Sequence, residues 1–479
     1  MMDEKLKDFL YQSQMVFAEN QELYNVEILN NFFTNMESKS IKIENKSGLL
    51  SYLDEEVNAI QNEIQWYLNE ILKDKKFKEL EGSWLSIYDL IKSIPLTESL
   101  KVFLFQANCQ ELKDDIADAT DFDQSYLFKK FYEENYGTPG GLPVGLVIFD
   151  HYFTKNPQDV QLMGNLTNIL AAAHINCISG VDPSVFDIKS FSQLNNIKDL
   201  QSIFESPELI QWNSFRTREE SRYMTLVLPK VLKRIPYDNI KNPIKTCYFN
   251  ENINADDNND FCWGNAAYKM GECIMKSFFY YKWLAAIRGV DNGGKVENIP
   301  IYTYRNSAGE TISLCPTETP LTDRREKELS ELGFLSLCYF KQTDYGVFFG
   351  SQTMQKPLIY DNDEATGNSH LSASLPYMLN VSRFAHYMKC MMRDYVGSHT
   401  SKEDIEQYLQ NWISRYVTLN DTTDNELKVK FPLRGAMVTV EEDISKTGVY
   451  FATVKIIPHF QLEAINISMR LVVSIKEKS

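Results

Sequence analysis

The sequence predicts a mixed α/β fold (α+β) in three successive parts. These are a helical N-terminal appendage at residues 1–75, a mixed α/β body at 76–370, and a C-terminal part at 371–479 with two helices and then strands. Three observations carry this. Apolar residues recur at helical spacing through the N-terminal stretch. From about Trp84 short β-rich runs alternate with helical patterns. The stretch 435–475 reads as strands with no competing helical period.

In chain order, Leu6, Phe9 and Leu10, then Val26, Leu29 and Phe33, mark two helices, and a polar joint follows between Ser38 and Ser47. Val57, Ile60, Ile64, Leu68 and Ile71 step by three and four and predict one long amphipathic helix. Lys101–Ala107 and Val144–Phe149 are β-rich, the second behind the turn Thr138-Pro139-Gly140-Gly141, and Asp159–Ala173 is helical. Ser206-Pro207-Glu208 opens a helix with a capping hydroxyl, a proline at the first position and an acid in the first turn. Tyr223–Leu228 reads as a strand stopped by Pro229, and Asn239–Asp260 as a polar surface loop. A helix at Asn265–Tyr281 leads to a strand at Leu284–Arg288, and Ile299–Tyr304 with Thr311–Leu314 reads as a hairpin. Asp323 and Glu326 are spaced as a capping box, with Gly333 placed to close that helix ahead of a strand at Phe334–Phe340. Tyr360–Ser369 reads as polar and mobile. Ser374 is placed to cap a helix reaching Gly397, with Met378, Val381, Ala385, Met388, Met392 and Tyr395 on one stripe. Lys402–Val417 is a further helix with Ile405, Leu409, Trp412 and Tyr416 on its core side. Strands at Gly435–Glu441, Val449–Ile457 and Ile465–Ile475 complete the chain.

Composition excludes several classes. The 479 residues are 43% hydrophobic and 24% charged, with 28 Phe and 26 Tyr, which is globular and not disordered. A net charge of −16 repels phosphate backbones and anionic lipid, and no basic patch offsets it, so no nucleic-acid partner is expected. Apolar runs such as Leu146–Phe149 are far shorter than the ~18 residues that span a bilayer, so no membrane insertion is expected. Asp3, Glu4, Lys5, Lys7 and Asp8 stand where a signal peptide carries its apolar segment, so the expected location is cytoplasmic. The eight cysteines lie singly, without a CxxC pair, and read as reduced core thiols.

Motifs for chemistry are sparse. Gly289-Val-Asp-Asn-Gly-Gly294-Lys295 matches a phosphate-binding pattern, but Val296 replaces the magnesium-binding hydroxyl and Pro300 follows where a helix must start. It reads as a Gly-rich turn between strands. His386 and Cys390 are four apart, but no third or fourth ligand stands at matching spacing. More unusual is the helix start Asp323-Arg-Arg-Glu-Lys-Glu328. Arg324 and Arg325 oppose the helix dipole there, either as solvated arginines offset by Asp323, Glu326 and Glu328 or as bridges to carboxylates on another element or subunit. A chain ending in a long strand also risks edge pairing with other chains, unless that edge is covered internally.

Whole phrases then align with one family. They are Leu80-Glu-Gly-Ser-Trp84; Phe131-Tyr-Glu-Glu-Asn-Tyr-Gly137; Ala171-Ala-Ala-His174; Phe204-Glu-Ser-Pro-Glu208; Trp263-Gly-Asn-Ala-Ala-Tyr268; Ala286-Ile-Arg-Gly-Val290; Cys315-Pro-Thr-Glu318; Leu321-Thr-Asp-Arg-Arg-Glu-Lys-Glu-Leu329; Phe349-Gly-Ser-Gln-Thr353; Val381-Ser-Arg-Phe-Ala-His-Tyr387; and Pro458-His-Phe-Gln-Leu462. In this order they resemble the large sheath subunit of the bacterial type VI secretion system, the TssC or VipB family. The resemblance runs from about Leu80 to about Val473. The first residues share only helical character, and the Asn254–Asp260 loop diverges.

The resemblance implies a structural protein, not an enzyme, with no cofactor. It implies an obligate heterodimer with a small sheath subunit, and helical polymerisation of that pair around an inner tube. The polymer would attach to an envelope-anchored baseplate, propel the tube by contracting, and be recycled by an ATP-driven unfoldase. It further implies a C-terminal strand-exchange (handshake) domain, whose strands here would use Val438, Val440, Val449, Phe451, Val454, Ile465, Ile467, Met469, Leu471 and Val473. By the same resemblance Leu6, Phe9, Leu10 and Val16 are the unfoldase-recognition candidates, and Lys402, Glu403, Asp404 and Glu406 the tube-facing ones. Arg324, Arg325 and Glu326 become candidates for a salt bridge between subunits. Two alternatives stay open: a sheath from a related extracellular contractile injection apparatus, and a cytoplasmic α/β nucleotide-binding enzyme using Lys295.

Overall fold

The computed structural model describes residues 27–28, 30–32, 34, 36, 46–138, 140–245, 247–255, 257–305, 309–339, 343, 345–395, 402–418, 429–442, 450–458 and 469–474. The chain divides into two units, Met1–Glu70 with Asp238–Glu251, and Ile71–Tyr237 with Asn252–Ser479. The first unit contains most of the long helix α1 (Lys46–Lys73), whose expected apolar stripe leaves Val57, Ile60 and Ile64 about half exposed. The amides of Gln65 and Asn69 donate to the Asn250 carbonyl, tying the loop 238–251 to the helix.

The second unit is built on a six-stranded sheet. Its strands are β1 (Leu146–Phe153), β2 (Asn176–Val181), β3 (Met224–Leu228), β6 (Lys295–Val296), β9 (Phe334–Tyr339) and β10 (Gly346–Phe348), in the order β1-β2-β3-β9-β10-β6. The first four run parallel, and the last two pairings, β9 with β10 and β10 with β6, are antiparallel. Short pairs flank it, β4 (Val231–Leu232) with β5 (Trp263–Gly264), and the expected hairpin β7 (Thr303–Arg305) with β8 (Thr311–Ser313).

Parallel strands covered on both faces read as continuous apolar runs, and alternate residues feed two cores. Met224, Leu226, Leu228, Phe334 and Cys338 face one core with helices α4 (Pro157–Ala173) and α9 (Leu375–Tyr395). Val227, Leu335 and Leu337 face the other, under helix α6 (Ala267–Tyr281) through Met270, Cys273 and Ile274. The α9 stripe is buried as its spacing requires, with Met378, Val381, Ala385, Met388 and Met392 at 2% exposure or less.

Helix α2 (Lys75–Lys92) is capped by Asp74 and buries Gly82, Ser86 and Leu90. Helices α3 (Cys109–Asp118), α5 (Ile210–Arg216), α7 (Asp323–Glu331) and α8 (Asp363–Ser372) complete the unit, α5 burying Trp212 against Phe334 of β9. Ser206 accepts the Glu208 amide, as the Ser-Pro-Glu signature requires, although the first turn is 3-10 before α5 begins. Helix α10 (Lys402–Ser414) then lies on an antiparallel sheet of β11 (Leu433–Glu442), β12 (Tyr450–Pro458) and β13 (Met469–Ser474). Ile405, Leu409 and Ile413 meet Val438, Val440, Ala452, Val454 and Ile456 there, continuous with the core under α9.

Four local expectations are corrected. Lys101–Ala107 takes no regular secondary structure and pairs with nothing among the described residues. Leu284–Arg288 is buried yet irregular, because the Leu284 amide is taken by Asn380 and the Ile287 amide by the Ala285 carbonyl. The cap of α7 is Thr322, one residue before Asp323, so Arg325 and not Glu326 stands at the box position. Tyr360–Ser369 contains the start of α8, which Asn362 caps by accepting the Glu364 amide. At the head of α9, the Ser374 hydroxyl donates back to Leu371.

Candidate assembly interface

The three C-terminal strands form a ladder with β12 in the centre, its register running from Leu433↔Pro458 to Glu442↔Tyr450 and from Phe451↔Ser474 to Ile456↔Met469. The two outer edges are treated differently. On β11 the Val438 amide donates to Gln410 Oε1 at 2.8 Å, and Gln410 Nε2 donates to the Ala436 carbonyl at 3.2 Å. The Val440 amide donates to Glu406 Oε2 at 2.9 Å. At the strand's start, Leu433 exchanges backbone bonds with Tyr416 and Thr418. Side chains four apart on α10 thus occupy the positions that a neighbouring strand would use. On the other side, β13 pairs only with β12 among the described residues. A groove of about 450 Å³ opens between α10 and β11, lined by Glu403, Glu406, Gln407, Gln410, Met437 and Val438.

Of the proposed handshake residues, Val438, Val440 and Val454 face α10 and are buried, while Phe451 is half-buried. Met469, Leu471 and Val473 lie on β13 opposite Ile456, Val454 and Ala452. Val449, Ile465 and Ile467 lie outside the described residues, as do Leu6, Phe9, Leu10 and Val16. Among the tube-facing candidates Lys402 is half-buried, and Glu403 and Asp404 are exposed at the start of α10. Glu406 is different. Its carboxylate is engaged by the edge of β11. Sequence reading passed over Gln410; the available signal was its i+4 spacing from Glu406 on a helix ahead of strands.

Both α7 arginines turn to Glu328. Arg324 Nε reaches Oε1 at 2.9 Å with its side chain 83% exposed, and Arg325 Nη1 reaches Oε2 at 2.7 Å with 11% exposed. Arg325 also donates to the Ile197 carbonyl, so within this chain it ties α7 to another element through backbone, not through a carboxylate. Glu326 lies on the inner side, where burial pushes its carboxyl up and Ser330 donates to it at 3.2 Å. A Cβ at Gly350 would stand 2.5 Å from Ser330 Oγ, which explains the glycine in Phe349-Gly-Ser-Gln-Thr353.

The other phrases have structural work. Tyr136 and His386, from two of the phrases, and Lys389, just past the second, close the C-terminus of α4. Tyr136 donates to the Ala173 carbonyl at 2.9 Å, His386 Nε2 stands 3.2 Å from the same oxygen, and Lys389 reaches the Ala172 carbonyl at 3.1 Å. Positive groups suit that end of the dipole. Burial still dominates, lowering His386 to about 4 and Lys389 to about 8. His386 is therefore a core histidine, and no group of described His, Cys, Asp and Glu residues can hold a metal. Gly289 and Gly293 take positive φ in a turn closed by the Gly294 amide on the Gly289 carbonyl. Lys295 then enters strand β6, where its amine pairs with Glu297 at 2.8 Å. No described helix is long and apolar enough to cross a membrane.

Comparison with known proteins assigns the class. Residues 54–355 match the VipB model, described as the EvpB/VC_A0108 tail sheath N-terminal domain, and residues 364–475 match the accompanying gpW/gp25-like tail sheath domain. The chain is 38% identical over 419 residues to the type VI secretion system sheath protein TssC1 of Pseudomonas aeruginosa PAO1, covering 87% of this chain and 84% of that protein. The contracted helical sheath of the anti-feeding prophage aligns at a TM-score of 0.30 and 12% identity, over 64% of this chain and 66% of that one. The two family models and the TssC1 relative define a protein of the tail-sheath class. Within it, the chain belongs to the TssC/VipB family of type VI secretion sheath large subunits.

Proposed function

We propose that this chain works as the large subunit of a type VI sheath by pairing with a small sheath subunit and exchanging C-terminal strands with its neighbours around an inner tube. The observation that supports this most is the asymmetry of the C-terminal sheet. One edge is filled by Gln410 and Glu406, and among the described residues no strand pairs with the outer edge of β13. Pairing through one edge favours head-to-tail contacts, which generate open helical polymers instead of closed rings. Backbone ladders also suit a contracting sleeve, because they tether subunits while side-chain faces repack.

The finer assignments belong to the same proposal. Lys402, Glu403 and Asp404 face the inner tube. Arg324 is free on one side for a neighbouring carboxylate. An unfoldase takes the N-terminal residues Leu6, Phe9, Leu10 and Val16 after contraction, and deletion of residues 1–20 is expected to block disassembly. The sheath stands in the bacterial cytoplasm on a baseplate and acts mechanically, without catalysis.

The test is co-expression with the small protein encoded beside it, read by negative-stain electron microscopy. Hollow tubes containing both chains are expected. A soluble monomer that ignores that neighbour would overturn the reading, and tubes of this chain alone would replace it with a one-protein sheath.

A further inference from the structure

Helix α2 buries a narrow strip and leaves a wide apolar one open. The buried strip is Gly82, Ser86 and Leu90: Gly82 lies so close to the next element that an added Cβ would stand 2.5 Å from the Trp263 carbonyl oxygen, the Ser86 hydroxyl donates to the Gly82 carbonyl, and Leu90 joins a small apolar cluster. Glu81 forms a bidentate pair with Arg234 at 2.6 and 3.1 Å, and Asp89 meets the buried Lys233 at 3.0 Å. The outer face carries Phe77, Leu80, Trp84, Tyr88 and Ile91, between 37 and 58% exposed. At 3.6 residues per turn this stripe is centred about opposite Gly82, Ser86 and Leu90. A helix that only closes a core points its large apolar residues the other way.

The chain then presents a second open surface. Phe103 is 74% and Leu104 70% exposed, with Val102 and Phe105 beside them. Phe105 leans on Phe131, so the open part of this segment is centred on Phe103 and Leu104. No hydrogen bond among the described residues uses the backbone of Lys101–Ala107, although its composition is that of a strand. Leu100, at its head, packs in one cluster with Ile87 and Leu90 of α2 and with Ile148 of β1, the edge strand of the main sheet.

Taking roughly 150–250 Å² for a whole aromatic side chain, the two surfaces expose on the order of 1,000 Å², above the ~800 Å² per partner of a standard interface. Each surface alone exposes about 500 Å², the size at which an apolar patch on a monomer is often functional. An interface this apolar is of the permanent kind. Contacts between stacked subunits must rearrange when a sheath shortens, whereas the contact inside its building block need not. The occupant is therefore the building block's second chain, not another copy of this one.

We propose that the small sheath subunit seats here, laying an amphipathic helix on the α2 stripe and an extended strand along Val102–Phe105. This rests on the heterodimer reading above. Lys76 and Lys92 flank the stripe at the two ends of the helix, so the incoming helix carries carboxylates there.

The test uses the full chain co-expressed with the small subunit. Trp84→Asp with Tyr88→Asp, both exposed, is expected to lower co-purified small subunit at least tenfold while leaving the large subunit folded by circular dichroism. Because any variant can misfold, amide hydrogen exchange on the wild-type pair provides the second reading. Amides 102–105 are expected to exchange at least a hundredfold slower in the complex than in the free chain. A wild-type pair that forms tubes while the variant binds equally, or while amides 102–105 exchange unchanged, overturns this proposal and leaves the sheath reading standing. Large-subunit self-association lost in the variant would name a second copy as the occupant, and also overturn it. Absence of both pairing and tubes in the wild type removes the sheath reading itself, and this proposal with it.

Discussion

Replacing Gln410 by alanine isolates the edge guard of β11. The side chain accepts the Val438 amide at 2.8 Å and donates to the Ala436 carbonyl at 3.2 Å, so its loss strips both backbone partners. Each such bond contributes about 0.5–1.5 kcal/mol net, and alanine is the best helix former, so α10 itself does not suffer. Together the two bonds predict about 1–3 kcal/mol of weaker protection at the β11 edge. At 1.4 kcal/mol per factor of ten, Val438 should exchange roughly 5- to 150-fold faster. Hydrogen exchange with mass spectrometry over 434–442, on the isolated chain, reads this directly. An unguarded edge is also a template for pairing, so the variant should associate at concentrations where wild type stays monomeric. Unchanged exchange at 434–442 would refute the reasoning, because the bonds would then contribute nothing to the edge.

Other outcomes follow from single contacts. Glu406→Gln keeps an acceptor for the Val440 amide and should leave exchange nearly unchanged, whereas Glu406→Ala should raise it, since bonds to a charged acceptor contribute about 1.5–3 kcal/mol. Arg324→Ala should shift the urea midpoint negligibly, being 83% exposed, while Arg325→Ala should cost about 1–3 kcal/mol through the orphaned Ile197 carbonyl. His386 is held at about 4 by burial against an unfolded value near 6.5. The unfolded chain therefore binds the extra proton first, and stability falls as pH drops from about 6.5 to 4, by up to ~3 kcal/mol. His386→Asn should flatten that slope in urea titrations at stepped pH. Gly82→Ala places a methyl against the Trp263 carbonyl and should detach α2, measured as faster exchange over residues 75–92.

Elements with a strong period were legible in the sequence. The α9 stripe at steps of three and four is buried along its described length, and β3 and β9 fall within the apolar runs that marked them. Elements set by distant partners were not. Leu284–Arg288 has strand composition, but Asn380 and Phe348 claim its neighbouring backbone groups and leave no ladder to join. Helix α8 is polar almost throughout, so periodicity carried no signal, and only Asn362 as cap marked it. The Thr322 cap was one residue from the position expected, because Thr and Asp are both good caps and sequence alone does not rank neighbours. The edge guard was invisible for a related reason. Gln410 acts on a strand 26 residues away, and its one local signal, the i+4 spacing from Glu406, is shared by many solvated helix faces.

Why a side chain and not a strand should fill the β11 edge follows from what a sheet can do with two open edges. Such a sheet extends in either direction, and neighbours would join it in mixed order. A third backbone segment would block one edge for good, at the cost of ordering more chain. Two side chains on α10 do so with a few bonds, and the same helix already buries Ile405, Leu409 and Ile413 on the sheet's face. The guard is therefore positioned by the core, and α10 covers the β11 edge. If strand exchange runs as proposed, moving the guard would matter more than weakening any single ladder bond, since polarity of addition is what distinguishes a helical sleeve from an irregular aggregate.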